Sequence, residues 1–163
     1  MTSVPPSFDL EAYIGRYPPG SETRLQRLLF IAEKTHDTDL SNQAFQMAER
    51  QMRDTSNTRR YKEVFGMASR GGVMYDEGWV EETDASTQSS LEVLEGRLSV
   101  AQAHLNKEAI RTAYLEIGTF ARQRGDLQHS LRAVLRSRDY CTNRSQTTHV
   151  CLLVIELSME LRK

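Results

Sequence analysis

KEAIRTAYLEIGTFARQRGDLQHSLRAVLRSRDYC, residues 107–141, carries the clearest structural signal in the chain. Ile110, Ala113, Tyr114, Ile117, Phe120 and Ala121 recur at three- and four-residue steps, which aligns them on one helix face. Gly125 and Asp126 then interrupt the pattern. An aspartate carboxylate accepts hydrogen bonds from the free N–H groups of a first helical turn, so Asp126 predicts a second helix start. Leu127, Leu131, Val134 and Leu135 supply its apolar face. The stretch reads as an antiparallel helical hairpin. Such a hairpin cannot bury both apolar faces by itself, so it predicts stacked neighbours and a solenoid.

Those neighbours are legible on both sides. All four prolines, Pro5, Pro6, Pro18 and Pro19, fall in the first twenty residues, and nothing after them forbids helix. Residues 8–14 read as a short turn able to dock on the body, and Tyr17-Pro18-Pro19-Gly20 breaks the chain. Ser21 caps a helix with a stripe of Leu25, Leu28, Leu29 and Ala32. A second helix starting at Asp39 or Ser41 carries Leu40, Ala44, Phe45, Ala48 and Met52. A third, over residues 59–69, packs through Tyr61, Val64, Phe65 and Ala68. An acidic segment around Trp79 leads into a long helix over residues 80–106, with Leu91, Leu94, Leu98, Ala101 and Leu105 at three- and four-residue steps. The Ser/Thr-rich patch 83–90 weakens its first half and predicts a later start. A final helix over residues 149–162 carries Val150, Leu153, Val154, Leu157 and Leu161 and reads as half of a further hairpin.

Composition narrows the function classes. With 21 basic and 22 acidic side chains the net charge is −1, against the strongly basic balance of a generic polyanion binder. No apolar run approaches the roughly 18 residues of a membrane-spanning helix. Two cysteines, Cys141 and Cys151, make no disulfide framework in a chain of 163 residues and fit a reducing compartment.

Catalytic and ligand-binding patterns are weak. Cys141, His149 and Cys151 lack the paired short spacings of a zinc site, so packing is the better reading and no metal is expected. Positions 149 and 151 lie two apart on a helix and point away from each other, which argues against a Cys-His nucleophile. Glu81 and Glu82 fit a solvated helix start better than acid–base chemistry. Gly71-Gly72 lacks the Lys-Ser/Thr pair of a phosphate loop, so no nucleotide cofactor is expected. The remaining candidates are for interaction. Arg122, Arg124, Arg132, Arg136, Arg138 and Arg144 gather around the hairpin, and Trp79 is the lone tryptophan. A solvated outer face with local ion pairs is the plain reading of the arginines, and an inter-helix anchor that of Trp79.

On the tetratricopeptide pattern Tyr114 takes the first aromatic position, Ile117-Gly118 the Leu-Gly pair, Ala121 a close-packed position and Gly125-Asp126-Leu127 the turn. Ser130, Val134 and Ser137 stand where alanine, an aromatic and alanine are usual. The match implies an all-α fold of antiparallel hairpins stacked as a right-handed solenoid.

Residues 8–14, 24–32, 107–111, 125–127, 137–142 and 151–155, in this order, resemble the N-terminal region of the COP9 signalosome subunit 1 family. The run Arg138-Asp139-Tyr140-Cys141-Thr142 is the most distinctive. They resemble, less closely, the related subunit of the 26S proteasome lid. The family has a Lys-His pair where Ser145-Gln146 stands here, and residues 54–90 align poorly beyond Trp79. The resemblance implies a leader over residues 1–20 and a helical-repeat domain over residues 21–163, cut before a PCI domain. It also implies a non-catalytic scaffold of the nucleus and cytoplasm, partnered by other signalosome subunits and by cullin-RING ubiquitin ligase components. Cullin deneddylation would be carried by a different subunit.

Overall fold

The structure, a computed structural model, describes residues 8–161. Residues 1–7 of the leader read over residues 1–20 lie outside them. The described residues are all-α: α1 (Leu10–Ile14), α2 (Glu22–Lys34), α3 (Thr38–Asp54), α4 (Thr58–Phe65), α5 (Glu77–Ala103), α6 (Lys107–Gln123), α7 (Leu127–Ser137), a 3-10 turn (Arg138–Tyr140) and α8 (Arg144–Leu161). Short polar residues set most helix starts. Asp9, Ser21, Asp37, Asn57, Asp76, Asn106 and Asp126 each accept a backbone N–H of the following first turn.

Three boundaries differ from the sequence reading. Asp37, not Asp39 or Ser41, caps α3. The Asp76 carboxylate accepts the Trp79 N–H at 3.0 Å and starts α5 ahead of the Ser/Thr patch, which stays helical. Within that patch the Ser90 hydroxyl donates to the Ser86 carbonyl at 3.0 Å, a bond compatible with the helix. The final helix begins at Arg144, where Asn143 Oδ1 accepts the Gln146 N–H at 2.9 Å, and not at His149.

Each helix packs chiefly on its neighbours in sequence, with α2 against α3, α5 against α6, α6 against α7 and α7 against α8. Two hydrophobic cores result. The first joins α1–α4 to the start of α5 through Ile14, Leu25, Leu28, Met52, Phe65 and Val80. At its centre Tyr61 is fully buried, with the rings of Phe65, Tyr75 and Trp79 5.2, 5.7 and 4.9 Å away. Its hydroxyl accepts the Asp76 N–H at 3.1 Å and donates to the Met74 carbonyl at 3.3 Å, so its polar end is satisfied. The second core joins α6–α8 through Leu127, Val134, Val150 and Leu157. Gly118 permits the close approach of α6 to α7, because a Cβ there would stand 2.9 Å from Val134 Cγ2.

Four residues read as apolar-face positions are exposed. Ala68 is exposed because α4 stops at Phe65. Leu105 follows the end of α5 with φ 51° and is 84% exposed. Leu135 and Leu161 sit at the edge of their helices' buried arcs and are exposed. The last helix is apolar on opposite sides. Val150 and Leu157 point inward, while Cys151, Leu152, Ile155 and Met159 form an outward stripe.

Candidate functional site

The arginines that are adjacent in sequence are sorted by helix geometry into different roles. Arg122, on the last turn of α6, reaches α8: its Nη1 lies 3.1 Å from Glu156 Oε2 and its Nη2 2.6 Å from Glu160 Oε1. The hydrogen bond to Glu160 raises its pKa against the opposing effect of partial burial. Arg122 is thus an internal clamp between helices and not a free docking group. Arg124 turns toward the crevice between the two cores. Its guanidinium sits 5.7 Å from the Phe120 ring centre, and its buried Nε has no hydrogen-bond partner. Desolvation lowers its pKa, which Asp84 and Asp126 only partly offset.

Arg132 and Arg136 behave differently. Both are exposed on α7, one turn apart, and among the described residues neither has a carboxylate within ion-pair distance. Arg138 makes only a loose contact with its neighbour Asp139 at 3.9 Å, with both side chains mostly exposed. The distinctive run 138–142 packs through Tyr140, whose ring stacks on Tyr114 at 5.9 Å and 27°.

Trp79 is part of the first core. Its ring meets the edge of Tyr61, and the Arg53 guanidinium lies 4.8 Å from its centre. Arg53 also bonds Asp76 Oδ2 at 3.1 Å. Burial opposes the charge on Arg53, and its bonds to Glu49 and Asp76 outweigh that and raise its pKa. The outer side of Trp79 lines a crevice of about 860 Å³ between the α3–α4 turn, α5 and α6. Thr83, Ser86, Thr87 and Ser90 form its hydroxyl-bearing wall, so the Ser/Thr patch is the polar face of α5.

Sequence reasoning missed the residues that tie α4 to α5 and to the α6–α7 turn. Asp84, on α5, accepts from Lys62 Nζ at 2.7 Å and from the Thr58 hydroxyl. Burial would raise its pKa, but those two bonds prevail and lower it. Arg59 donates to the Gly125 carbonyl at 3.0 Å. Gly125, at φ 72°, lies so close to Asn57 that a Cβ would fall 2.3 Å from Asn57 Nδ2. Each of these residues reads as an ordinary polar surface or turn position, and only their pairing across the chain gives them a role. His149 and Cys151 are exposed, Cys141 is half-buried, both cysteines are free, and no metal-binding cluster occurs among the described residues. Glu81 and Glu82 are exposed on the first turns of α5.

Comparison with known proteins places this geometry in a lineage. The family model described as 26S proteasome subunit RPN7 matches residues 76–163. A protein of Arabidopsis thaliana named COP9 signalosome complex subunit 1 is 33% identical over 157 residues, covering 94% of this chain and 35% of that protein. Proteins of the same name from Emericella nidulans and Schizosaccharomyces pombe are 29% and 27% identical, covering 95% and 93% of this chain. The chain spans about a third of the length of these curated relatives.

Proposed function

This chain belongs to the family described as 26S proteasome subunit RPN7, and from that premise we propose that it is a non-catalytic interaction arm of a COP9-type signalosome. In this reading its partners are other signalosome subunits and components of cullin-RING ubiquitin ligases. It supports cullin deneddylation performed by another subunit, and it works in the nucleus and cytoplasm. One observation carries the reading: similarity to proteins named signalosome subunit 1 extends over 93–95% of the chain, through the first core as well as the second. The side chains agree with a scaffold. Arg122, Asp84 and Arg53 are engaged in holding helices together, while α7 and α8 keep exposed faces of opposite character, one basic and one apolar.

A second reading, a subunit of the 26S proteasome lid, is favoured by the description of the family model itself. Affinity purification of the tagged full-length protein from its own cells, with mass spectrometry of what accompanies it, separates the two. Recovery of signalosome subunits in near-stoichiometric amounts is the expected result. Lid subunits in their place would select the second reading, and the absence of both would overturn each.

A further inference from the structure

The outer face of α7 combines charge and apolar surface that no other described residue pairs with. Arg132 and Arg136 are four residues apart and exposed, and like charges at that spacing repel. Their helix holds no acidic residue between its cap Asp126 and Asp139 beyond its end. Leu135 stands between them, 40% exposed, and Arg138 extends the basic surface past the C-terminal end. Several arginines elsewhere have acidic partners. Arg53, Arg60, Arg70, Arg97, Arg111 and Arg122 each have a carboxylate within 4 Å. Arg16, Arg27, Arg50 and Arg144 are also exposed without one among the described residues. What sets the α7 face apart is that α7 alone of the described α-helices carries no acidic residue, while its two arginines flank an exposed leucine.

We propose that this face docks an acidic amphipathic segment of a protein partner, with Leu135 taking its apolar side and Arg132 and Arg136 its carboxylates. Guanidinium groups bind carboxylates in a planar two-point geometry, and arginine is enriched among the residues that dominate protein interfaces. A nucleic acid is the weaker fit. The chain's net charge is −1, so no wide basic field surrounds the patch, and an exposed leucine contributes nothing to a phosphate backbone. The inference takes the class of its partner, a protein, from the assembly reading above, but it is tested separately.

The probe is a fluorescein-labelled 18-residue helical peptide with leucine at every third and fourth position and glutamate elsewhere, titrated with the full chain and followed by anisotropy. Binding at 50 mM salt that weakens at 300 mM is the expected result, because the screening length for exposed pairs falls from about 14 Å to about 6 Å between these ionic strengths. R132E/R136E should weaken it about tenfold or more, R132K/R136K much less, and L135A severalfold. All three positions are exposed, and circular dichroism verifies that the variants keep their helices. A flat titration, or equal binding by R132E/R136E, overturns the proposal. So does a 20-base-pair DNA duplex that binds as tightly as the peptide while L135A has no effect. A chain that binds the peptide but purifies without signalosome subunits would remove the assembly reading and leave this one standing.

Discussion

Gly125→Ala should be one of the more damaging single-methyl changes in the chain, and the damage should travel through one distant side chain. Gly125 has φ 72°, a region that costs a non-glycine residue about 1–2 kcal/mol. Its new Cβ would fall 2.3 Å from Asn57 Nδ2 and 3.1 Å from Asn57 Cγ. Asn57 has little freedom to yield: it is 4% exposed, and its Oδ1 accepts the Arg60 N–H at 3.1 Å as the cap of α4. Displacing it gives up a cap of about 1 kcal/mol and adds overpacking of about 1 kcal/mol or more. The total is about 3–4 kcal/mol, a large share of a small domain's stability. Asn57→Ala alone should cost about 1–2 kcal/mol, since the cap is lost without a clash. In the double variant the truncated side chain leaves room for the methyl group, so only the backbone cost is added. Urea unfolding followed by circular dichroism at 222 nm for wild type, both single variants and the double measures the cycle. The double should be more stable than additivity requires by about 1–2 kcal/mol. Additivity within about 0.5 kcal/mol would refute the contact between the α3–α4 and α6–α7 turns.

Two further outcomes test the first core and the junction beside it. Tyr61→Phe keeps the packing but leaves the partly buried Asp76 N–H without its acceptor, so unfolding in urea should show a loss of about 1 kcal/mol. For Asp84 the folded pKa lies below the unfolded one, so its contribution is present above the unfolded value of about 3.9 and fades as pH falls through the folded value. Asp84→Asn should lower the midpoint of thermal unfolding at neutral pH and flatten its fall in acid. An unchanged acid limb would remove Asp84 from the junction.

The elements were legible where two independent signals coincided. In residues 107–141 the apolar period and the Asp126 cap agree, and α6 and α7 form at those positions. Leu135 shows the limit of that signal. A spacing of three and four marks an arc of helix surface but not which edge of the arc meets the neighbour, and here Leu131 and Val134 take the core side. The Ser/Thr patch misled because local propensity is a weak term against an upstream cap and a buried Val80. Among the candidate interaction residues, proximity in sequence concealed opposite fates. Arg122 meets acids 34 and 38 residues away, a distance no local pattern reports, whereas Arg132 and Arg136 have no acidic partner among the described residues. Trp79 as an inter-helix anchor followed from its size and its place beside a helix start. The Asn57–Gly125 approach had no sequence signal, because each residue is an ordinary cap or turn residue in isolation.

That approach also orders events during synthesis. Domains form as units from the N-terminus while the chain is still emerging, and every residue of the first core lies at or before Val80. The Tyr61 cluster can therefore close before α6 exists, on contacts between chain neighbours that carry little loop-closure entropy. Thr58, Arg59 and Lys62 then wait at its surface with polar groups facing water. They are matched only when Asp84 and then Gly125 arrive, so the joint to the second core waits on the α6–α7 turn and is the natural place for a nascent chain to be caught half-made.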